Sequence, residues 1–380
     1  MSLRRIGVPA LSGSSPSAAN AASHAALVEE AVRAIRAGQI VVLPTETVYG
    51  IAADPGCETS IAAVRAWKGR PDEQRFTHHL GDARDVERFV PQVPPRVRKL
   101  LDRYWPGPLT VVLPTHDGTS VGLRLPAHAF ARAVARALGG SVYLTSVNAS
   151  GEPPFVGPDE IVAAAGERID LLFDGGAPPL RQASTVVRWR APAALDALGA
   201  AAEAFGELEV LREGVLSAAE IESLTARTWL FVCTGNTCRS PMAEAIARRE
   251  AARRLGTTEQ RVRAHGLAFA SAGITARAGL AASDGSRAAL REIGLSLDGH
   301  RSSPLTPELL RSAERIFCLG ASHLVAVCAL APDVADRAEL LDPQGGGIPD
   351  PYGLDLDTYR RTREAIEFAV QARLDEILPR

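Results

Sequence analysis

Cysteine is scarce: the 380 residues hold five, at Cys57, Cys233, Cys238, Cys318 and Cys328. That excludes a disulfide-stapled secreted scaffold and leads us to expect a reducing, cytoplasmic setting. No apolar run approaches the roughly 20 residues a membrane helix requires, so no membrane partner is expected. The formal net charge is only -2, which leaves no broad basic footprint for nucleic acid. Residues 1–24 lack the continuous apolar stretch of a signal peptide. Rich in Ser, Ala, Gly and Pro, they read as a disordered tail. No internal repeat is visible, which excludes a repeat array.

What is present is a globular composition, 46% apolar and 23% charged, over a length that implies two domains. Apolar residues at helical spacing over Ala25–Ala37 stop at Gly38 and lead into a β-branched run, Gln39–Leu43, read as a strand. Further helices are read over Thr59–Trp67, Pro94–Tyr104 and Ala129–Leu138. Further strands are read over Leu109–Leu113, Val121–Leu125, Ser141–Thr145, Thr185–Trp189 and Leu208–Leu211. Several strands follow one another directly, which predicts a mixed, twisted α/β sheet over residues 25–216. Ala191–Phe205, rich in Ala, reads as a helical insertion before the last strand. Residues 217–227 are expected as a linker, in which Ser217 and Glu220 could cap a helix reciprocally. Residues 228–380 alternate strand and helix: Trp229–Val232, Pro241–Leu255, Ala268–Ala272, Ala281–Ile293, Arg315–Leu319 and Leu354–Leu378. That order predicts a doubly wound α/β domain with a parallel sheet and a phosphate-binding loop.

The loop is Cys233-Thr234-Gly235-Asn236-Thr237-Cys238-Arg239-Ser240-Pro241, between the first strand and first helix of this half. Its backbone N–H groups and the helix N-terminus form an anion cradle, and Pro241 in the first turn loses no useful donor. Arg239 offers a planar fork for two phosphate oxygens. The positive field favours Cys233 as a thiolate nucleophile, with the Ser240 hydroxyl beside it. Asp350-Pro351-Tyr352-Gly353 closes a Gly- and Pro-rich loop and supplies a carboxyl group suited to general acid work. Together these features point to phosphoryl transfer through a phosphocysteine.

Residues 227–380 resemble the low-molecular-weight protein tyrosine phosphatases. The resemblance implies Cys233 as nucleophile, Arg239 as phosphate clamp, Asp350 as general acid, and Asn236 and Ser240 as organisers of a loop that includes Thr234, Gly235, Thr237 and Cys238. It implies no cofactor and a phosphoprotein substrate, and it makes Cys238 a partner for a protective disulfide with Cys233 on oxidation. Ser271-Ala272-Gly273 and Gly299-His300-Arg301 match family landmarks, but Ser302-Ser303 stand where the family often has a further Arg. Thr237 replaces the usual aliphatic residue of tyrosine-directed members, as in the similar bacterial protein-arginine phosphatases. Phosphoarginine and phosphotyrosine both remain open. An arsenate reductase is a rival on the same scaffold, but it needs a late resolving cysteine, and Cys318 and Cys328 lie in apolar stretches.

The first half carries Pro44-Thr45-Glu46-Thr47-Val48-Tyr49-Gly50, Lys68-Gly69-Arg70-Pro71, Arg124-Leu125-Pro126, Ser146-Val147-Asn148, Ser184-Thr185 and Leu211-Arg212, most of them at ends of expected strands. Cations spread over several strand ends, with hydroxyls between, suit a triphosphate and a small polar substrate. In this order the motifs resemble the threonylcarbamoyl-AMP synthase (YrdC-like) family over residues 25–216. The resemblance implies synthesis of threonylcarbamoyl-adenylate from threonine, bicarbonate and ATP, with magnesium on the nucleotide and no protein metal site, for enzymes that modify tRNA. It implies a threonine site of Thr47, His79, Arg124 and Ser184 and ATP contacts from Lys68, Arg70, Ser146, Asn148 and Arg212. The chain departs from the family pattern at Asp72–His78, where a short Asn-Pro-Leu step is usual, and at Val147, where Ala is usual. The family's longer members carry another C-terminal domain where this chain has its phosphatase-like half. A single-activity phosphatase with a degenerate nucleotide- or RNA-binding first half is the alternative.

Overall fold

The computed structural model describes residues 3–9, 18–69, 75–148, 152–155, 157–191 and 205–378. The chain divides into two compact units, Met1–Arg190 with Leu208–Thr225, and Ala191–Glu207 with Ala226–Arg380. The expected insertion over residues 191–205 lies almost wholly outside the described residues.

The first unit is built on a ten-stranded sheet in the order β1-β8-β2-β3-β7-β4-β6-β5-β9-β10. Its strands are β1 (Arg4–Gly7), β2 (Val41–Leu43), β3 (Gly50–Ala53), β4 (His78–Leu80), β5 (Leu109–Pro114), β6 (Ser120–Arg124), β7 (Ser141–Ser146), β8 (Leu171–Asp174), β9 (Thr185–Arg190) and β10 (Glu207–Arg212). The sheet is mixed, as the clustering of strands predicted. β8 runs parallel to β1 and β2, β3 is antiparallel to β2 and β7, and β5 is antiparallel to β6 but parallel to β9. Helices α1 (Ala18–Arg36), α2 (Glu58–Lys68), α3 (Pro95–Tyr104), α4 (Ala129–Ala137), α5 (Pro158–Ala165) and α6 (Ala218–Thr225) accompany it. Val41, Leu43 and Ala52 enter one core with Ile35 and Phe130, while Val42, Ile51 and Ala53 enter another with Val64 and Ile161. Burial on both faces explains why β2 and β3 read as unbroken apolar runs rather than alternating ones.

Two expectations are corrected. Residues 1–24 are not simply a tail: Arg4–Gly7 pair with β8, and the last turns of the stretch already belong to α1. Composition hid this strand because ion pairs hold it, Arg4 to Glu30 and Arg5 to Asp159 and Asp174. Residues 217–227 are not a free linker either. Ser217 and Glu220 form the expected reciprocal cap, with Ser217 N donating to Glu220 Oε2 at 2.8 Å. The helix they start, α6, packs on α3 with Ile221 fully buried, so it belongs to the first unit.

The second unit has a four-stranded parallel sheet ordered β12-β11-β13-β14, comprising β11 (Arg227–Cys233), β12 (Leu267–Gly273), β13 (Arg315–Cys318) and β14 (Ala338–Leu340). Its helices are α7 (Arg239–Arg254), α8 (Asp284–Arg291), α9 (Pro307–Ser312), α10 (Ala321–Leu330) and α11 (Leu356–Asp375). In β11, Trp229, Phe231 and Cys233 face a core shared with α7 and α11, and Leu230 and Val232 face the opposite core. Chain order reverses at β11, so the carboxyl end of β11 is the switch point where ligands of open α/β sheets bind. Cys233 sits at that end. Among the described residues no helix is long and apolar enough to cross a membrane.

Candidate functional site

In the second unit the loop from Cys233 to Ser240 wraps the end of β11. Asn236 turns it with a left-handed φ of 52°, a conformation Asn tolerates through local hydrogen bonds. Its side chain fixes the turn. Asn236 Nδ2 donates to Ser240 Oγ and Ser271 Oγ, each at 2.9 Å, and Asn236 Oδ1 accepts from Ser303 N at 2.7 Å. His300 Nε2 meets the Asn236 carbonyl at 2.8 Å, so Asn236 is held from three segments. Two bonds converge on the thiol: Asn236 N donates to Cys233 Sγ at 3.3 Å, and Ser240 Oγ lies 2.9 Å from it. Asn236 and Ser240 are fully buried behind the loop.

Cys233, Thr234, Gly235, Thr237, Cys238, Arg239 and Asp350 line one cavity of about 330 Å³. Arg239 donates to Asp350 Oδ2 at 2.5 Å and to the Ile348 carbonyl at 3.1 Å, while its Nε is buried with no acceptor. A buried guanidinium nitrogen left unsatisfied is costly in a folded protein, and an oxyanion in the cradle would satisfy it. Cys238 Sγ reaches Ser283 Oγ at 3.3 Å, and both Cys233 and Cys238 are free thiols. Cys318 is buried in β13, and burial pushes its thiol up to about 12, which disfavours it as the resolving thiolate a reductase needs.

Sequence reasoning missed His323. It is buried, its Nε2 lies 2.9 Å from Thr234 Oγ1, and burial, followed by the nearby Arg239 charge, keeps it below the usual histidine range. No local pattern around α10 signals this contact. The closeness of the loop to β12 has its own consequence. A Cβ on Gly273 would stand 2.7 Å from both Asn236 N and Thr234 O, so the loop backbone would have to move. Gly273→Ala is expected to lower phosphatase kcat/KM by about 100-fold through misplaced donors. Steady-state kinetics with the circular dichroism spectrum as a folding control checks it.

In the first unit, Thr45, His79, Arg124, Ser146, Asn148, Ser184 and Arg212 line a second cavity of about 360 Å³. Arg124 is its buried anchor. Nη2 donates to Glu46 Oε1 at 2.5 Å and to Thr47 Oγ1 at 2.8 Å, and Nε donates to the Gly107 carbonyl at 3.2 Å. That leaves Nη1 with no protein partner among the described residues. Glu46 also accepts from Ala127 N at 2.9 Å, so the Thr-Glu-Thr turn holds the guanidinium in one orientation. Ser184 Oγ meets Thr110 Oγ1 at 2.9 Å, and Arg212 Nη2 donates to the Ser184 carbonyl at 2.8 Å. Burial and then the neighbouring Arg124 lower the pKa of Arg212. Burial, with Arg124 next, pushes His79 down to about 3, so this histidine is neutral. His78 lies instead against Phe89 and Tyr143, bonded to Ser141 Oγ at 3.0 Å.

Lys68 is not among the residues lining this cavity. Its ammonium donates to the carbonyls of Ser146, at 2.7 Å, and of Asn148. It braces the 146–148 turn rather than lining the cavity. Arg70 lies outside the described residues. Glu46 is the residue sequence reasoning passed over. Its motif was visible, but its pairing with Arg124 spans 78 residues. Among the described residues no group of three His, Cys, Asp or Glu side chains forms a metal site.

Comparison with known proteins assigns both halves. The Sua5/YciO/YrdC family model, described as telomere recombination, matches residues 33–195, and the model for low molecular weight phosphotyrosine protein phosphatase matches residues 228–378. The putative threonylcarbamoyl-AMP synthase of Mycobacterium tuberculosis is 34% identical over 170 residues, 42% of this chain and 77% of that protein. The chain belongs to the Sua5/YciO/YrdC family through its first unit and to the low-molecular-weight phosphatases through its second. The first unit is thus a threonylcarbamoyl-AMP synthase domain and the second a hydrolase domain. The chain spans about half the length of longer synthases, 49% for that of Bacillus subtilis. Solved structures of low molecular weight phosphatases are similar to the second unit. The low molecular weight protein tyrosine phosphatase of T. tengcongensis is 31% identical, covering 40% of this chain and 99% of that one, with a TM-score of 0.36. The YwlE arginine phosphatase of Geobacillus stearothermophilus is 30% identical, covering 40% and 92%, with a TM-score of 0.35.

Proposed function

We propose that the chain is bifunctional, making threonylcarbamoyl-adenylate in its synthase domain and hydrolysing phosphoprotein in its phosphatase domain. The observation that carries the phosphatase reading is the pairing of Cys233 Sγ with Asn236 N and Ser240 Oγ beside the unsatisfied Nε of Arg239. Phosphate entering the cradle takes the guanidinium fork and competes with Asp350 for it. Asp350, freed from its ion pair with Arg239, takes a proton from solvent and delivers it to the leaving atom while the Cys233 thiolate attacks phosphorus and the bond to the leaving group breaks. Water then attacks the phosphocysteine, Asp350 takes its proton, and inorganic phosphate leaves with the thiolate restored.

Thr237 favours phosphoarginine as the substrate. Thr237 lines the cavity, and among the described residues its hydroxyl meets only Cys238 Sγ, at 3.7 Å, so it is available to the planar guanidinium. Thr237→Ile is expected to raise phosphotyrosine turnover relative to phosphoarginine by about tenfold. An unchanged ratio in paired assays of the two peptides contradicts this specificity.

In the synthase domain Arg124 pairs the threonine carboxylate through Nη1. Thr47, fully buried and absent from the cavity lining, orients Arg124 rather than touching threonine, and His79 and Ser184 complete that subsite. Ser146, Asn148 and Arg212 face ATP, Lys68 supports them from behind, and Arg70 is assigned by the family pattern. Magnesium arrives on the nucleotide phosphates. Threonine's amine adds to bicarbonate-derived carbon dioxide. The carbamate oxygen then attacks the α-phosphorus as pyrophosphate leaves, so the domain contributes position and charge rather than a nucleophile. The adenylate passes to tRNA-modifying enzymes. Both activities are assigned to the cytoplasm, where Cys233 stays reduced. Pyrophosphate release that requires both threonine and bicarbonate tests the synthase reading. Release that ignores either one favours the single-activity alternative.

A further inference from the structure

Ser302-Ser303, the departure from the family's usual Arg, tie two parts of the phosphatase domain together. Ser303 N donates to Asn236 Oδ1, and Ser303 O accepts from Gly273 N at 3.0 Å. Ser302, itself buried, fastens the loop after β12. Its Oγ donates to the Arg277 carbonyl at 2.5 Å and accepts from Leu280 N at 2.9 Å. Its backbone N donates to Leu280 O, and its carbonyl accepts from Gly279 N, each at 2.8 Å. At the other end of the loop, Ile274 N and Thr275 N donate to the carbonyls of Cys233 and Thr234, both at 3.0 Å. Residues 274–280 are therefore a fixed rim on the catalytic loop, although their side chains are mostly exposed.

Arg277 stands on that rim and lines the same cavity as Cys233 and Tyr352. The charge balance there is uneven. Of the cavity's two arginines, Arg239 is paired with Asp350, and Arg277 has no ion-pair partner among the described residues. A phosphate in the cradle takes up Arg239 and does not change the position of Arg277 on a braced backbone. The cation that remains at the rim has no role in the chemistry, and a rigid mount lowers the ordering cost of a contact made there.

We propose that Arg277 makes the phosphatase domain prefer phosphorylated residues flanked by acidic side chains. The inference rests on the phosphatase reading above. An exposed ion pair of this kind favours an acidic peptide by about three- to fivefold at low salt, and the preference shrinks toward none near about 1 M salt.

The test uses the full chain and phosphoarginine and phosphotyrosine peptides, each made with Glu, Gln or Lys on both sides of the phosphorylated residue. The expected order of kcat/KM is Glu, then Gln, then Lys. Arg277→Glu should invert the order, and Arg277→Lys should keep it, which separates a charge effect from damage to the loop. An equal Glu-to-Lys ratio in the unaltered chain and in Arg277→Glu overturns the proposal. Failure of the unaltered chain to hydrolyse any of the peptides overturns the phosphatase reading itself, and this preference with it.

Discussion

Cys233→Ser is expected to lower phosphatase turnover by at least about 10⁴-fold, with pyrophosphate release by the synthase domain unchanged. The size follows from what the substitution removes. Loss of a nucleophile whose partners act as one unit costs nearly the whole catalytic enhancement, leaving only what binding and charge supply. The proposed partners stand together here: Asn236 N and Ser240 Oγ on the sulfur, and Arg239, the proposed phosphate clamp, paired with Asp350, the proposed acid. A hydroxyl at the same place fits the cradle, so phosphate analogues should still bind. The measurement is single-turnover hydrolysis together with inhibition by a phosphonate peptide. Loss of turnover with inhibitor affinity retained is the expected pair of results.

Removing the Arg124 guanidinium should produce the largest effect in the other domain, and on two properties at once. Arg124 and Glu46 have side chains only 4% and 9% exposed, and an ion buried without its partner destabilises a protein by about 3–5 kcal/mol. Arg124→Met leaves Glu46 in that state. The double variant Arg124→Met with Glu46→Met removes both charges and should recover most of the lost stability, because apolar replacements of a buried pair are often neutral. Activity should not recover with it. The threonine carboxylate takes no part in bond making, so losing its cation should raise KM for threonine by roughly 10²–10³-fold, with a smaller change in kcat. Denaturant unfolding and threonine titrations of pyrophosphate release measure the two properties separately. Equal stability of the single and double variants would contradict the account of the pair.

The two halves were legible to different depths. In the phosphatase domain the residues proposed as nucleophile, phosphate clamp and loop organisers fall within one eight-residue loop, so the backbone itself brings them together and a short motif suffices to place them. The place of Asp350 at the cavity was readable because its Asp-Pro-Tyr step ends a loop next to a long helix. His323 was not, since only the fold carries α10 under Thr234. In the synthase domain the proposed ligands come from seven separate segments, and a linear motif order says nothing of their pairing. Glu46 was visible as a carboxylate but not as the residue that orients Arg124. Lys68 was expected at the phosphates because of its charge, yet its ammonium donates to the Ser146 and Asn148 carbonyls. β1 was invisible to composition because Asp159 and Asp174 supply its anchoring charges from far along the chain. β4, only three residues long with two histidines, has no periodicity to read.

The account depends on where the phosphoryl group goes. Acid quenching during turnover of a ³²P-labelled phosphopeptide, followed by mass spectrometry of the digested chain, tests this most directly. We expect the label on the peptide that begins the Cys233 loop, bound to sulfur and absent from Cys233→Ser. Label on a histidine or another cysteine, or full turnover with no labelled protein at any quench time, would contradict it.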